Sequence, residues 1–154
     1  MYELKIQHEF LEKLSPDGKK WLARAMVGAL VVDKTLDVSE MPYMKEALGI
    51  VAENAEEKQV LLEAAKTRQV PDLGNLEVDR EAAGAFFYYL VELIAADGKV
   101  KNSEVTYLTT ICGKLGFPPE TAKNALRWSR DLVKLNQERN LMIAALKELR
   151  PIYA

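Results

Sequence analysis

The chain has 154 residues, of which 49% are hydrophobic and 29% are charged, and its formal net charge at pH 7 is −2. This composition is typical of one soluble globular domain, and the nearly neutral charge favours neither nucleic acid nor an anionic membrane as a partner. The single cysteine, Cys112, excludes an internal disulfide, and no apolar run reaches the length of a membrane span. The N-terminal residues carry acids where a signal peptide is basic, so we expect a cytoplasmic protein without direct membrane insertion.

Apolar residues recur at helical spacing along nearly the whole chain, and the alternating patterns of strands are almost absent. In the first half, Ser15 followed by Pro16 marks one helix start. Ser39 marks a second start as a cap, and Asn54 marks a break. The four helices predicted here cover residues 3–14, residues 16–32, residues 39–53 and residues 55–69.

The second half begins with the only long non-periodic stretch, Val70–Val78, which we interpret as the connection between two halves of one domain. Asp79 then caps a helix over Arg80–Ala96 that is apolar on nearly all sides and is therefore predicted to be the most buried element. A helix over Ser103–Leu115 and a helical tail from Pro119, with a bend near Leu135-Asn136, complete the chain. The prediction is an all-α single-domain bundle of seven or eight helices.

The pattern of the first half recurs 64 residues later in the second half. This offset superposes five pairs of residues: Asp33 and Asp97, Ser39 and Ser103, Glu40 and Glu104, Tyr43 and Tyr107, and Gly49 and Gly113. We predict two related helix-loop-helix units at residues 22–49 and 86–113, within one domain that covers residues 1–154.

The residues for several kinds of chemistry are missing from the chain. One histidine, His8, and one cysteine cannot supply the three or four nitrogen and sulfur ligands of a zinc or copper site. Glycine-rich phosphate loops are absent as well. Cys112 lies on the apolar side of its helix and is expected to be a buried, inert thiol, while Trp128 is expected to pair with Leu132 in the core.

Carboxylates remain as candidate functional groups in the two loops. Asp33, Asp37 and Glu40 cluster in the first loop, and Asp97 and Glu104 lie in the second. An aspartate at a helix C-terminus meets the negative end of the helix dipole, and clusters of oxygen ligands suit Ca²⁺, Mg²⁺ or Mn²⁺. The same acids are equally suited to capping backbone N–H groups of the loops and helices. Both interpretations stay open on the residues alone.

The second loop also resembles a known family. The run Ala-Ala-Asp-Gly-x-Val-x-x-x-Glu-x-x-x-Leu-x-x-Ile-x-x-x-Leu-Gly, which here is Ala95–Gly116, is similar to the signature of the TerB-like, tellurite-resistance family of helical proteins. The match extends over about Ala85–Phe117 and is faint in the first repeat, where Lys34 replaces the glycine and Pro42 intrudes.

The resemblance implies a helical bundle whose acidic residues bind metal cations. Carried over to this chain, those residues are Asp97 and Glu104, with Asp33 and Glu40 as weaker equivalents. It also implies a cytoplasmic bacterial protein of the stress response that works with membrane-associated protein partners and is not an enzyme.

Three functions therefore compete, in this order. The first is a binding module for tellurite or envelope stress, whose acidic face takes a divalent hard cation and a protein partner. The second is a purely structural helical protein–protein interaction domain without a metal site, in which the loop acids are caps. The third is a hydrolase that uses Asp97 and Glu104 as an acid/base pair, which would need a cleft with apolar walls to separate their pKa values.

Overall fold

The computed structural model describes residues 11–33, 38–95 and 99–153. These residues confirm an all-α fold, with no strand and with six α-helices where seven or eight were predicted. In chain order the helices are α1 (Pro16–Val31), α2 (Met41–Ile50), α3 (Ala55–Thr67), α4 (Arg80–Ala95), α5 (Asn102–Lys114) and α6 (Pro119–Lys147), with a short 3₁₀ turn over Val38–Glu40 before α2.

Two differences account for the lower count. The predicted bend near Leu135-Asn136 is wrong, because α6 runs unbroken for 29 residues. After its first residue this helix contains no proline or glycine, and a single asparagine costs less than about 1 kcal/mol inside a helix. The helix predicted over residues 3–14 falls mostly outside the described residues, of which residues 11 and 12 are helical.

Most helix starts are set by local capping. Ser15, Asn54 and Asp79 each accept a hydrogen bond from the backbone N–H three residues later, at 3.1, 3.0 and 3.2 Å. Such a cap satisfies one of the N–H groups that a helix start leaves without a partner, which stabilises the helix by about 1 kcal/mol. The starts of α1 and α4 therefore match the sequence prediction.

The core lies around α1, the helix with the most neighbours, and around α4. α1 packs against α2, α3, α4 and α5, while α4 also packs against α5 and α6. Eleven of the sixteen residues of α1 are buried, against ten of sixteen in α4. The prediction that α4 is buried above all others therefore needs correction. The small residues Ala23, Ala25 and Gly28 let several helices approach α1 closely.

Helix boundaries repeat at the interval found in the sequence. α1 and α4 are both sixteen residues long and begin 64 residues apart. α2 and α5 end 64 residues apart, and α3 and α6 begin 64 residues apart. These boundaries are those expected of two related three-helix units. The origin of the units by duplication stays a prediction.

The connection between the two units lies across α1 and α5 without helical structure. The indole N–H of Trp21 donates a hydrogen bond to the carbonyl of Gly74 at 2.7 Å. Farther along, the backbone N–H of Leu76 donates to the carbonyl of Lys114 at 2.9 Å. Because both anchors lie on helices of different units, the connection ties the units into one bundle.

Candidate functional site

Asp33 and Lys101, which lie at the described ends of the two aspartate loops, contact each other in the folded chain. Asp33 follows the end of α1, and Lys101 directly precedes α5. The ammonium Nζ of Lys101 lies 2.9 Å from Oδ2 of Asp33, although 68 positions separate the two residues. The Asp33 side chain is 16% exposed and that of Lys101 is 55% exposed. The first predicted loop acid thus has a lysine from the second loop as a cationic partner.

Glu104 lies at the third position of α5 and is buried. Its Oε1 accepts a hydrogen bond of 3.0 Å from the backbone N–H of Lys101. The N-cap of α5 is therefore Lys101, two residues before the predicted start at Ser103. A glutamate at this position satisfies an N–H group at the helix start and meets the positive end of the helix dipole. Glu104 thus has the capping contact that was considered as the alternative to metal binding.

Glu40, the predicted equivalent of Glu104, occupies a different position in its helix. It is the N-cap residue of α2, with helical φ and ψ of −91° and −10°, and its side chain makes no capping hydrogen bond. The prediction that Ser39 caps this helix is therefore wrong, because the N-cap is Glu40. The cause is Pro42 near the start of α2, because a proline has no N–H to donate and is favoured in the first turn of a helix. The α-helix therefore begins later than in the second unit.

The donor set for a cation is only partly described by the structure. Asp97 and Asp37 lie outside the described residues. Among the described residues, no group of three or more histidine, cysteine, aspartate and glutamate side chains is placed to hold a metal ion. Asp33 contacts an ammonium group and Glu104 a backbone amide. A shared cation site of Asp33, Glu40, Asp97 and Glu104 therefore stays a prediction.

The sequence did not predict an ion pair between a buried carboxylate, Glu57, and a partly buried arginine, Arg24. Glu57 of α3 is 3% exposed, and its two carboxylate oxygens accept hydrogen bonds from Nε and Nη2 of Arg24 at 2.5 and 3.0 Å. The hydrogen bond that Arg24 donates to the Glu57 carboxylate raises the pKa of the Arg24 guanidinium. Nη1 of Arg24 also donates to the carbonyl of Asp72 at 3.1 Å. The sequence feature that could have indicated this ion pair is an arginine within the apolar run of α1. In the structure, this arginine holds α3 and the connection against α1.

Cys112 and Trp128 were both predicted to be buried, and only the prediction for Cys112 is confirmed. Cys112 is buried as predicted, with Sγ 3.4 Å from the carbonyl oxygen of Pro118, and burial raises the pKa of its thiol. Trp128 was expected in the core but is 38% exposed, and its ring packs edge-on against Tyr88 with ring centroids 5.3 Å apart. It thus lies at the edge of the bundle.

A groove of about 440 Å³ lies beside the second loop, between α6 and the ends of α4 and α5. Apolar side chains such as Val100 and Val105 line it, together with Arg130 and Lys134. Its volume suits a small ligand. None of its described lining residues carries a carboxylate, so the groove adds no acid/base pair to the hydrolase hypothesis.

Most of the large hydrophobic residues that are exposed in the described part of the chain lie on the second half of α6 and the residues after it. The last buried residue of α6 is Ser129, and from Leu135 onward the helix extends away from the bundle core. The large hydrophobic residues that are more than half exposed here are Leu135, Leu141, Met142, Ile143, Leu146, Leu149, Ile152 and Tyr153. No helix in the described part of the chain is both long and apolar enough to cross a membrane.

Comparison with known proteins identifies no relative. No protein-family model matches the chain, and no curated protein or solved structure matches it significantly. The resemblance of Ala95–Gly116 to the TerB-like signature therefore remains a prediction.

Proposed function

We propose that this chain is a non-enzymatic protein-interaction module that binds its partner through the projecting half of α6. The observation that carries the proposal is a set of eight large hydrophobic side chains, from Leu135 to Tyr153, that are more than half exposed, five of them on α6 and three on the residues that follow it. The bundle formed by α1 to α5 holds the first half of α6 and so presents its second half to a partner.

The energetics support binding at this segment. Full burial of a large aliphatic side chain stabilises a complex by about 1.5–3 kcal/mol. Isolated exposed hydrophobic residues are ordinary, but a contiguous apolar patch of this extent is typical of an interaction site. Residues 141–146 are apolar without interruption and all of them are exposed, so this part of α6 offers apolar surface on several sides.

Site-specific photo-crosslinking in the cells that make the protein tests the proposal. A photoreactive amino acid at Leu146 should yield one defined adduct with a protein, because this side chain would be covered by the partner. The same amino acid at Asn140, which is exposed on the other side of α6, is the control and should yield little adduct. Absence of a defined protein adduct at Leu146, Met142 and Leu149 would overturn the proposal.

A second candidate function is binding of Ca²⁺, Mg²⁺ or Mn²⁺ at the aspartate loops. The contact of Asp33 with Lys101 places this predicted ligand beside the residue that precedes α5, the helix that carries Glu104, and a cation there would have to displace the Lys101 ammonium from Asp33. A cation at 100 times its dissociation constant would stabilise the fold by about 2.7 kcal/mol. Thermal unfolding should therefore shift upward with millimolar cation in the native chain, and not in a variant with Asp97→Asn and Glu104→Gln. An unmoved midpoint in the native chain contradicts this function.

The resemblance to the TerB-like family suggests a cellular setting for the module, namely a bacterial stress response with membrane-associated partners. Deletion of the gene should lower tolerance to tellurite, and the native chain should restore it. A chain with Leu146→Glu and Leu149→Glu should fail to do so if partner binding through α6 is required. Unchanged tellurite tolerance in the deletion strain would contradict a role of this chain in tellurite resistance.

A further inference from the structure

We infer that the groove between α6 and the ends of α4 and α5 is a binding site for a small amphipathic carboxylate, that is, an anion with one carboxylate group and a short apolar body. The inference goes beyond the proposed function, because it assigns a small ligand to a surface that the protein partner is not proposed to cover. Three observations carry it: the apolar walls of the groove, the cations on its rim and the lack of an acid among its described lining residues.

The walls of the groove are apolar and partly open to solvent. Val105 of α5, Val133 of α6 and Val100 before α5 line it, and all three are half-buried. Ala95 and Leu126, which are buried, line it as well. An apolar body in the groove would therefore remove valine methyl groups from water together with its own surface. The volume of about 440 Å³ lies toward the lower end of the range for small-ligand pockets, which favours a short apolar body.

Arg130 and Lys134 place two cations on the α6 side of the groove. Both side chains line the groove and are exposed, and they lie about one helical turn apart. Like charges at this spacing repel each other, and neither residue forms an ion pair with another described residue. A carboxylate bound to both would offset this repulsion, and the guanidinium offers the paired N–H groups that a carboxylate accepts.

The other groups around the groove leave its charge positive. Gln137, which also lines it, can donate from its side-chain amide. The nearest acids along α6, Asp131 and Glu138, do not line the groove. The end of α4 and the start of α5 present opposite partial charges here, which partly cancel. The charge of the site is therefore set by Arg130 and Lys134.

A carboxylate fits these groups better than a phosphate group does. Phosphate sites are typically built from backbone N–H groups at a helix N-terminus or in a glycine-rich loop. No glycine is among the described lining residues. The nearest helix start, that of α5, already has the carboxylate of Glu104 bound to the backbone N–H of Lys101. A second negative charge is therefore better placed on the rim cations than at this helix start.

Titration of octanoate into the purified native chain, followed by NMR of the valine methyl groups, tests the inference. The signals of Val100, Val105 and Val133 should shift and saturate with a dissociation constant of about 1 mM or lower. Octanol has the same chain without the charge and should bind at least about tenfold more weakly. Shortening the acid to hexanoate should weaken binding by up to about fourfold for each methylene removed.

Two double variants separate this site from a general attraction to a basic helix. Arg130→Gln with Lys134→Gln removes both rim cations and should weaken octanoate binding at least about tenfold. Lys123→Gln with Arg127→Gln is the matched control, because these exposed residues lie on the same side of α6 and do not line the groove. The control should change the dissociation constant by less than about twofold at physiological salt. Far-UV circular dichroism should show native helix content in both, since only exposed residues change.

Four results would overturn the inference. Octanoate may leave the three valine signals unmoved, octanol may bind as tightly as octanoate, or both double variants may weaken binding equally. Octyl phosphate that binds at least tenfold more tightly than octanoate would assign the groove to a phosphate ligand instead. Photo-crosslinking at Leu146 tests the proposed function separately, so either conclusion can fail while the other stands.

Discussion

The phenol of Tyr107 occupies the space where a side chain at Gly28 would begin. The Tyr107 hydroxyl donates a hydrogen bond of 2.7 Å to the carbonyl of Ala25, and a Cβ at Gly28 would lie only 2.2 Å from that hydroxyl. Tyr107 is buried, and burial raises its pKa, so the hydroxyl stays a donor across the ordinary pH range. This contact joins α5 of the second unit to α1 of the first.

Gly28→Ala should destabilise the fold by roughly 1–3 kcal/mol, because the new methyl group overlaps a buried ring that cannot move freely. The free energy of unfolding in urea measures the effect. Gly84→Ala is the matched control, since nothing lies within 4 Å of a Cβ at this helical glycine. Gly84→Ala should leave stability unchanged or raise it by up to about 1 kcal/mol.

A double-mutant cycle adds Tyr107→Phe, which removes the hydroxyl and by itself should cost about 1 kcal/mol. In the double variant the nearest clash is gone, although the Cζ atom at 2.8 Å remains. The two changes should therefore be less than additive. Strict additivity would mean that Gly28 and Tyr107 are not in contact.

Replacing only Arg24 of the Arg24–Glu57 pair should destabilise the fold more than replacing both residues together. Arg24→Ala leaves a carboxylate that is 3% exposed without its bidentate partner, so we expect a loss of about 3–5 kcal/mol. After Arg24→Ala the only cation left beside this carboxylate, among the described residues, is the Lys20 ammonium, at 3.7 Å. Replacing both residues together, with Arg24→Met and Glu57→Leu, also removes the buried carboxylate and should cost much less. Urea denaturation measures all three proteins, and a double variant as unstable as Arg24→Ala would contradict this account.

Phe86 and Phe87 are both fully buried, and truncation of either to alanine should cost roughly 3–5 kcal/mol through lost burial and a residual cavity. Phe86→Leu is the control, because it keeps most of the volume and should cost less than about 1.5 kcal/mol. Substitutions at ordinary surface positions change the free energy of unfolding by about 0.5 kcal/mol. If both alanine variants lose less than about 1 kcal/mol, α4 behaves as a surface helix and the prediction is wrong.

Glu104 should matter to stability without any added cation if its contact with the Lys101 amide is a helix cap. Glu104→Ala should then cost about 0.5–2 kcal/mol, and Glu104→Gln less, since the amide oxygen can still accept. Lys101→Met keeps the backbone N–H and removes the partly exposed ion pair with Asp33, so it should cost less than about 1 kcal/mol. Thermal unfolding in the presence of a chelator measures each variant, and equal stability of Glu104→Ala and the native chain would argue against the cap.

Cys112 should react slowly with thiol reagents in the folded protein. Its side chain is 1% exposed, and the raised pKa lowers the thiolate fraction at a given pH relative to the unfolded chain. Reaction with a disulfide reagent at pH 8 should be slower than in denaturant by at least about tenfold. Equal rates would show that α5 opens readily.

Local features of the sequence determined most of the helices. The starts of α1, α3 and α4 follow from Ser15, Asn54 and Asp79, because each cap joins groups only three positions apart. Apolar periodicity indicated which sides of these helices are buried, and the offset of 64 residues anticipated the matching boundaries of the two units.

Only the tertiary structure decided what the acidic and apolar candidates contact. The partners of Asp33, Glu57 and Tyr107 lie 68, 33 and 82 positions away, and no periodicity within one helix specifies a pairing over such a distance. Helical spacing likewise indicates that Met142 and Leu146 share an apolar face, but whether that face meets the chain's own core depends on where α6 leaves the bundle. Burial is a property of the packed neighbours, and here those neighbours end near Ser129.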